Sequence, residues 1–311
     1  MIAIRNVVCP VDFSGATNRQ LTLAVDVCRA FGARLVLLHN VTDVSVGSGV
    51  GWMWRADQPS SAPISVDDQL RALVARVPKE IPSETCITRG AVTEAVLRVS
   101  EAAEADLVVL SAHAGKTADH ASVIEFMLDH SERAVLALHD QGADYGEPRF
   151  VPPDDEDHPM QTLLVPVNLG ADAHTQMDVA CDLARLFPLR LHVLHVLEGA
   201  SNREGRDVEL IRSQLQALVP DEVKPRVTIH IETGELVPMI VETARHLAAS
   251  CIVMGEHTRM PVKRWLTQNH ARAVLHEAHC PVWYVPSTRT AGKSLSRLAL
   301  SNEKSILWGN V

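Results

Sequence analysis

A short apolar stretch that occurs twice constrains this chain more than any other feature. Residues 7–12, with the sequence VVCPVD, return 156 positions later as residues 163–168, with the sequence LLVPVN. Each copy is an apolar run that ends at one polar side chain and leads into a helical pattern. In α/β folds such strand ends present a polar group to a ligand. The second copy keeps this position but replaces the carboxylate of Asp12 by the amide of Asn168.

The repeat extends through both halves of the chain. At the same offset of 156, identical residues recur: Gln20 and Gln176, Phe31 and Phe187, His39 and His195. Beyond residues 42–65 the offset falls to 144, so that Gly90 matches Gly234. This segment is rich in Gly, Ser and Pro, and we interpret it as an insertion in a surface connection, either a surface loop or a lid over a site.

Strand-like and helix-like patterns alternate in the first half. An apolar periodic pattern with Ser14 as N-cap and Gly32 at its end predicts a helix, and the continuous apolar run at 35–39 predicts a strand that is covered on both faces. Further strands are predicted near 86–88, 107–110 and 134–138, and further helices near 66–77, 93–103 and 122–130. This order predicts an α/β fold with a parallel, doubly wound sheet in each half.

The repeat also sets the expected domain boundaries. Domain 1 spans residues 1–140, an acidic linker spans 141–160, and domain 2 spans 161–286. A tail over residues 287–311 has no counterpart in the first half. Its apolar residues suggest a helical piece that packs on a domain or a partner: Leu295, Leu298, Leu300, Ile306 and Trp308.

Composition excludes several classes of protein. A formal net charge of −9 and an aromatic content of 4% argue against a nucleic-acid-binding surface. No apolar run approaches the roughly 20 residues of a membrane span, and the N-terminal sequence lacks the pattern of a signal peptide. The six cysteines show no CxxC spacing and suit a reducing compartment. We therefore expect a cytoplasmic protein that binds neither nucleic acid nor membrane.

Several features in a fixed order, present in both halves, resemble the universal stress protein family in its tandem two-domain form. They are Asp12 after the first strand, His39 and His195 at strand ends, Gly90 and Gly234 after the third strands, the strand at 252–255 and the closing sequence at 279–282. The resemblance implies two tandem Rossmann-like domains, each a five-stranded parallel sheet with helices on both faces. It also implies an intramolecular pseudo-dimer in which the last strands, 134–138 and 282–285, pair with each other; a homo-oligomer remains open.

One branch of the family binds ATP through a loop after the fourth strand, with the pattern Gly-x2-Gly-x9-Gly-Ser/Thr. Such glycines let backbone N–H groups approach phosphate oxygens closely. In the second half the corresponding residues are Gly255, Thr258, Gln268 and Asn269; in the first half they are Ser111, Ala114, Ala121 and Ser122. Because most of the glycines are replaced, the loops predict degenerate nucleotide-binding sites. ATP or AMP is the candidate cofactor, and the residues establish none.

The remaining polar candidates keep two interpretations each. Asp12 either accepts a hydrogen bond from a ligand or caps the helix that follows, and Asn168 can still hold a polar ligand. If one domain binds a ligand, the second is slightly favoured. The spacing of His192 and His195 on a strand points them to opposite faces, so they cannot share a metal. No metal site and no arrangement of a nucleophile with a base is recognised, and we expect no enzyme.

Two functions follow. The first is a non-catalytic stress-response or regulatory protein with degenerate nucleotide-binding loops, which acts through contacts with an unknown protein partner. The second is a sensor that binds ATP, AMP or another small molecule in one domain, beneath the 42–65 segment.

Overall fold

The computed structural model describes residues 2–41, 65–113, 118–140, 161–169, 173–198, 205–255, 264–286 and 306–310. The described part of the chain does not include residues 42–64, the linker or the tail residues 287–305.

Strands and helices alternate along the rest. The strands are β1 (Asn6–Pro10), β2 (Arg34–Val41), β3 (Ser83–Arg89), β4 (Leu107–His113), β5 (Ala134–Asp140), β6 (Gln161–Pro166), β7 (Leu189–Leu197), β8 (Val227–Thr233), β9 (Cys251–Gly255), β10 (Val282–Val285) and β11 (Ile306–Asn310). The α-helices are α1 (Ala16–Phe31), α2 (Val66–Val74), α3 (Val92–Ala102), α4 (Ala118–His130), α5 (Ala173–Leu186), α6 (Gly205–Ala217), α7 (Leu236–His246) and α8 (Arg264–Glu277).

All of these strands belong to one sheet, in the order β11-β3-β2-β1-β4-β5-β10-β9-β6-β7-β8. Within each half the five strands are parallel and follow the same order, 3-2-1-4-5 counted along that half. The predicted α/β class with two Rossmann-like halves is confirmed. The sheet has one strand more than the two five-stranded units predicted, because the tail contributes β11.

Apolar side chains cover both faces of the sheet, as the continuous apolar strand sequences predict. Residues 35–38 of β2 are all buried, and they alternate between two separate cores. One core joins the sheet to α1, α2, α5 and α6, and the other joins it to α3, α4, α7 and α8. Each core runs through both halves of the chain, so the two repeats share their hydrophobic interior.

The halves meet where β5 pairs antiparallel with β10. In this ladder Trp283 lies opposite Leu136, and both side chains are fully buried. On one face of the sheet the equivalent residues Phe31 and Phe187 meet edge to face, with ring centroids 5.6 Å apart. On the other face Arg272 Nη2 donates to Asp129 Oδ2 at 2.7 Å.

The expectation of a helical tail is wrong for Ile306–Asn310. This segment is β11, which pairs antiparallel with β3 from Ile306 opposite Thr88 to Asn310 opposite Glu84. A sheet edge offers a row of unpaired backbone N–H and C=O groups, and a segment containing Ile and Trp suits a strand that satisfies them. Apolar spacing alone could not reveal this edge, because β3 lies more than 200 positions earlier in the chain.

Some predicted helix ends also need correction. Ser14 is not the N-cap of α1: Gly15 occupies that position, and no side chain makes a cap hydrogen bond there. The first helix does end at Gly32, whose left-handed φ of 65° favours glycine. Helix α2 ends at Val74 instead of near residue 77, and α4 begins at Ala118 instead of near Ser122.

Candidate functional site

The candidate sites lie where neighbouring strands separate at the switch point of each half. Strand β1 pairs with β4 only at Val7–Leu107 and Val8–Val108, although β1 stays paired with β2 up to Pro10. In the second half β6 and β9 share only two register pairs as well, at residues 163 and 164 of β6. Ligands of open α/β sheets bind in the crevice outside the carboxyl ends of the strands at such a switch point. Each half therefore has one crevice in the expected place.

Asp12 follows β1 and holds the turn into α1. Its Oδ1 accepts hydrogen bonds from the backbone N–H of Ser14 and from the hydroxyl of Thr17, both at 3.0 Å. Phe13, between Asp12 and Ser14, adopts a left-handed φ of 61°, which costs a non-glycine residue about 1–2 kcal/mol. The carboxylate thus stabilises a strained turn of its own chain, close to the capping role that the sequence left open.

Two equivalent histidines hold the ends of neighbouring strands together. His39 Nδ1 lies 2.9 Å from the carbonyl oxygen of Val11, and His195 Nδ1 lies 2.8 Å from that of Val167. Because a carbonyl only accepts, the Nδ1 of each ring carries the proton and donates. The ring of Phe13 also packs on His39, with centroids 4.4 Å apart. In both halves the histidine is a part of the turn framework.

Two equivalent glutamines fill the gap between the separating strands. Gln20 is buried and donates from Nε2 to the carbonyl oxygens of Pro10 at 2.7 Å and Val109 at 2.8 Å, so it bridges β1 and β4. Gln176 donates in the same way to Pro166 at 2.5 Å. Proline has no N–H, so neither Pro10 nor Pro166 can donate a ladder hydrogen bond, and the glutamine supplies a donor where the ladder stops.

The second glutamine also explains Gly255, which the sequence matched to the first glycine of a phosphate loop. The Oε1 of Gln176 occupies the space that a Cβ at position 255 would need. In the first half this position is Ser111, half-buried on β4, and the amide of Gln20 is directed to Pro10 and Val109 instead. A side chain at position 255 would therefore require the amide of Gln176 to move. Oε1 is buried and has no hydrogen-bond partner among the described residues, which costs about 1–3 kcal/mol.

The other predicted site residues are only partly described. Asn168 is exposed, two residues after the end of β6. Ser122 and Asn269 lie on α4 and α8, but their side chains lie outside the described part of the structure, as do Ala114 and Thr258 altogether. The structure thus brings Asp12 and Ser111 to one crevice and Asn168 and Gly255 to the other.

All six cysteines are buried and unpaired with one another. Burial raises the pKa of Cys28, Cys86 and Cys280 to about 12 and that of Cys181 to about 11. The pKa values of Cys9 and Cys251 are raised further, also by burial. Because the thiolate is the nucleophilic form, these thiols are unreactive at neutral pH.

A histidine pair that the sequence did not reveal lies on β7 and β8. His192 Nδ1 and His230 Nε2 are 2.9 Å apart, and the rings lie nearly parallel at 18°. Burial lowers the pKa of both rings; the partner His230 and Arg190 lower that of His192 further. Near His230, Arg212 and His246 act in the same direction, and Glu232 opposes them. No group of three or more metal-ligating side chains occurs among the described residues.

No helix in the described part of the chain is long and apolar enough to cross a membrane.

Comparison with known proteins agrees with the repeat of two similar halves. A sequence model of the universal stress protein family matches residues 3–139 and 160–286. No curated protein sequence matches the chain significantly.

Several solved structures are similar in fold. A universal stress protein from Archaeoglobus fulgidus is 15% identical, with a TM-score of 0.61 over 91% of this chain and 96% of that one. A protein of unknown function from Pseudomonas aeruginosa is 16% identical, with a TM-score of 0.60 over 92% and 93%. A further universal stress protein from Archaeoglobus fulgidus, in complex with dAMP, is 22% identical and covers 40% of this chain and 96% of that one, with a TM-score of 0.32.

The fold and its two crevices define a tandem α/β protein in which each half is one Rossmann-like unit. The family match covers most of both halves. The chain belongs to the universal stress protein family, with two copies of the family domain in one polypeptide.

Replacement of Asp12 tests its role in the turn. We expect Asp12→Ala to lower the free energy of unfolding by about 0.5–2 kcal/mol, because Ser14 and Thr17 lose their acceptor. Asp12→Asn should cost less, since an amide oxygen still accepts and the second half carries Asn168 at the same place. Urea denaturation measures both. Equal losses for the two variants would show that the charge matters more than the hydrogen bonds.

The histidine pair predicts a pH dependence of stability. Both pKa values lie below the ordinary histidine value of about 6.5, so in acid the unfolded chain binds more protons than the folded one. The stability that the neutral pair contributes is fully present above about pH 6.5 and is lost as the pH falls through the lowered folded pKa values. Urea denaturation between about pH 7.5 and about pH 5 covers the range around the ordinary histidine pKa. Over this range His230→Gln should lose less stability on acidification than the wild type.

The matched control is the exposed His174, whose replacement by Gln should leave the pH dependence of stability unchanged. An identical slope in wild type and His230→Gln would contradict the prediction.

Proposed function

We propose that this chain is a non-catalytic stress-response or regulatory protein, with crevices that no longer hold a nucleotide, and that it acts through contacts with other proteins. The observation that carries the proposal is the pair of glutamines. Gln20 and Gln176 are buried in the gaps between the separating strands and satisfy carbonyl groups at the strand ends. The chain itself occupies the floor of each crevice.

The polar groups beside the crevices support the same proposal. The Oδ1 of Asp12 is used by Ser14 and Thr17, and Asn168 carries no charge. Both turn histidines use Nδ1 to donate to backbone carbonyls. The six thiols are buried and protonated, so they are not available as nucleophiles. Buried free thiols also suit the reducing environment of the cytoplasm, which we propose as the location.

We also propose that the pairing of β5 with β10 makes the chain an intramolecular pseudo-dimer, with domain 1 at residues 1–140 and domain 2 at 161–286. The fully buried Trp283 and Leu136, the contact of Phe31 with Phe187 and the ion pair of Arg272 with Asp129 support it. The ion pair joins α8 of the second half to α4 of the first.

A nucleotide or small-molecule sensor is the second candidate, and one observation favours it in the second domain. The buried Oε1 of Gln176 has no partner among the described residues. A ligand N–H group in a rearranged crevice would satisfy it.

Titration calorimetry with ATP, ADP and AMP separates the two functions. We expect no saturable binding of any of the three at ligand concentrations up to about 1 mM. Binding with a micromolar Kd would contradict the proposal. The loss of that binding in Gly255→Trp but not in Asp12→Ala would then assign the site to the second domain.

The pseudo-dimer is tested by producing residues 1–150 and 151–286 as separate chains. When mixed, they should elute together in size-exclusion chromatography, because each otherwise exposes an apolar edge strand. Trp283→Asp in the second chain should abolish co-elution, since it places a charge opposite Leu136. Elution of both wild-type chains as separate, stable monomers would contradict the proposal.

A further inference from the structure

We propose that Gln20 and Gln176 close the two crevices. Each side chain takes the place that an adenine nucleoside would occupy between the separated strands. This inference rests on the proposed function and names the residues responsible for it. The glycine-poor loops would weaken the binding of phosphates, but they do not fill the space at the ends of β1 and β6. The two glutamines do fill that space.

The position of the amides follows from the backbone. Beyond the pair Val8–Val108, strands β1 and β4 no longer share register, yet β1 remains fixed to β2 up to Pro10 and β4 remains fixed to β5 up to His113. The outer neighbours therefore hold the gap open. A group placed in it must donate to carbonyl oxygens, because Pro10 has no N–H to offer.

The glutamine side chain fits this requirement. From the first turns of α1 it crosses to the sheet, and its Nε2 provides two N–H groups, which Gln20 directs to Pro10 on one strand and Val109 on the other. Gln20 also opposes the rise that burial causes in the pKa of the Cys9 thiol, so its amide lies beside this thiol in β1. The amide therefore joins the two strands of the crevice floor next to Cys9.

The second crevice is closed less completely. Gln176 is fully buried but makes one described hydrogen bond, to Pro166, and its Oε1 rests in the space left by the missing side chain of Gly255. The closure in this half depends on the volume of the side chain more than on its hydrogen bonds. We therefore expect the second crevice to be the easier one to open.

Two substitutions at each glutamine distinguish the effect of its volume in the gap from the effect of its hydrogen bonds. Gln→Ala removes the side chain from the gap, whereas Gln→Met keeps nearly the same volume and loses the amide. Adenosine is the first probe, because it lacks the phosphates that the loops handle poorly; AMP and ATP follow. All measurements use the full chain, and circular dichroism and urea denaturation establish that each variant is folded.

We expect Gln176→Ala to bind adenosine with a Kd below about 100 µM, at least tenfold tighter than the limit of about 1 mM for the wild type, and Gln176→Met not to bind. For the first crevice we expect Gln20→Ala to expose Cys9. Its modification by a small methanethiosulfonate reagent, followed by mass spectrometry of the peptide, should be at least about tenfold faster than in the wild type. Gln20→Met should react as slowly as the wild type.

The outcomes distinguish the two proposals. Binding by the wild type overturns the proposed function and, with it, the closure of that crevice. A wild type that does not bind, together with folded Ala variants that neither bind adenosine nor expose Cys9, overturns the role of the glutamines and leaves the proposed function in place. If an Ala variant does not fold, Gln→Asn replaces it, because the shorter side chain retains the amide but cannot span the gap; the same two readouts then apply.

Discussion

The structure depends on the antiparallel pairing of β5 with β10. Each half alone would be a parallel sheet whose last strand is an apolar edge, and such an edge associates with other chains. Joining the two edges buries Trp283 against Leu136 and makes one sheet whose two hydrophobic cores run through both halves. The contact of Phe31 with its own repeat equivalent, Phe187, follows from this geometry, because equivalent residues near a local two-fold axis meet each other.

The sequence predicted those helices and strands whose residue patterns are local and occur in both halves. The apolar run of β2 and the glycine that ends α1 predict their elements directly, because a strand buried on both faces and a left-handed helix end each need particular residues. The tail was different. Ile306 and Trp308 form a strand because β3 offers an unpaired edge, and that edge exists only once the sheet has formed. Ser14 failed as a helix cap for a similar reason: Asp12, two positions earlier, already holds the turn.

The sequence predicted where the candidate site lies, but it did not predict which side chains fill it. The polar residue after the first strand of each half marks a switch point, and the strands do separate there. The recurrence of Gln20 as Gln176 was visible in the sequence, but a buried glutamine has no pattern of its own. Its meaning comes from Pro10 and Pro166, which end the ladder on the side facing the gap. A proline at the end of a strand, followed ten residues later by a glutamine on the next helix, is the signal that would have predicted this arrangement.

The two halves have diverged most at the outer ends of the sheet, and their environments explain how. Cys86 and Thr88 on β3 are fully buried, and β11 pairs with that strand. Their equivalents on β8, at the opposite end, are the partly buried His230 and the exposed Glu232, and no described strand covers β8. An edge strand that stays open is protected from association by polar and charged side chains, whereas a covered one can carry apolar residues. The histidine pair is part of this difference, since Val36 and Cys86 occupy its place in the first half. One repeat has thus become a unit whose edge strand is covered and the other a unit with a polar, titratable edge, although both retain a buried glutamine at the centre.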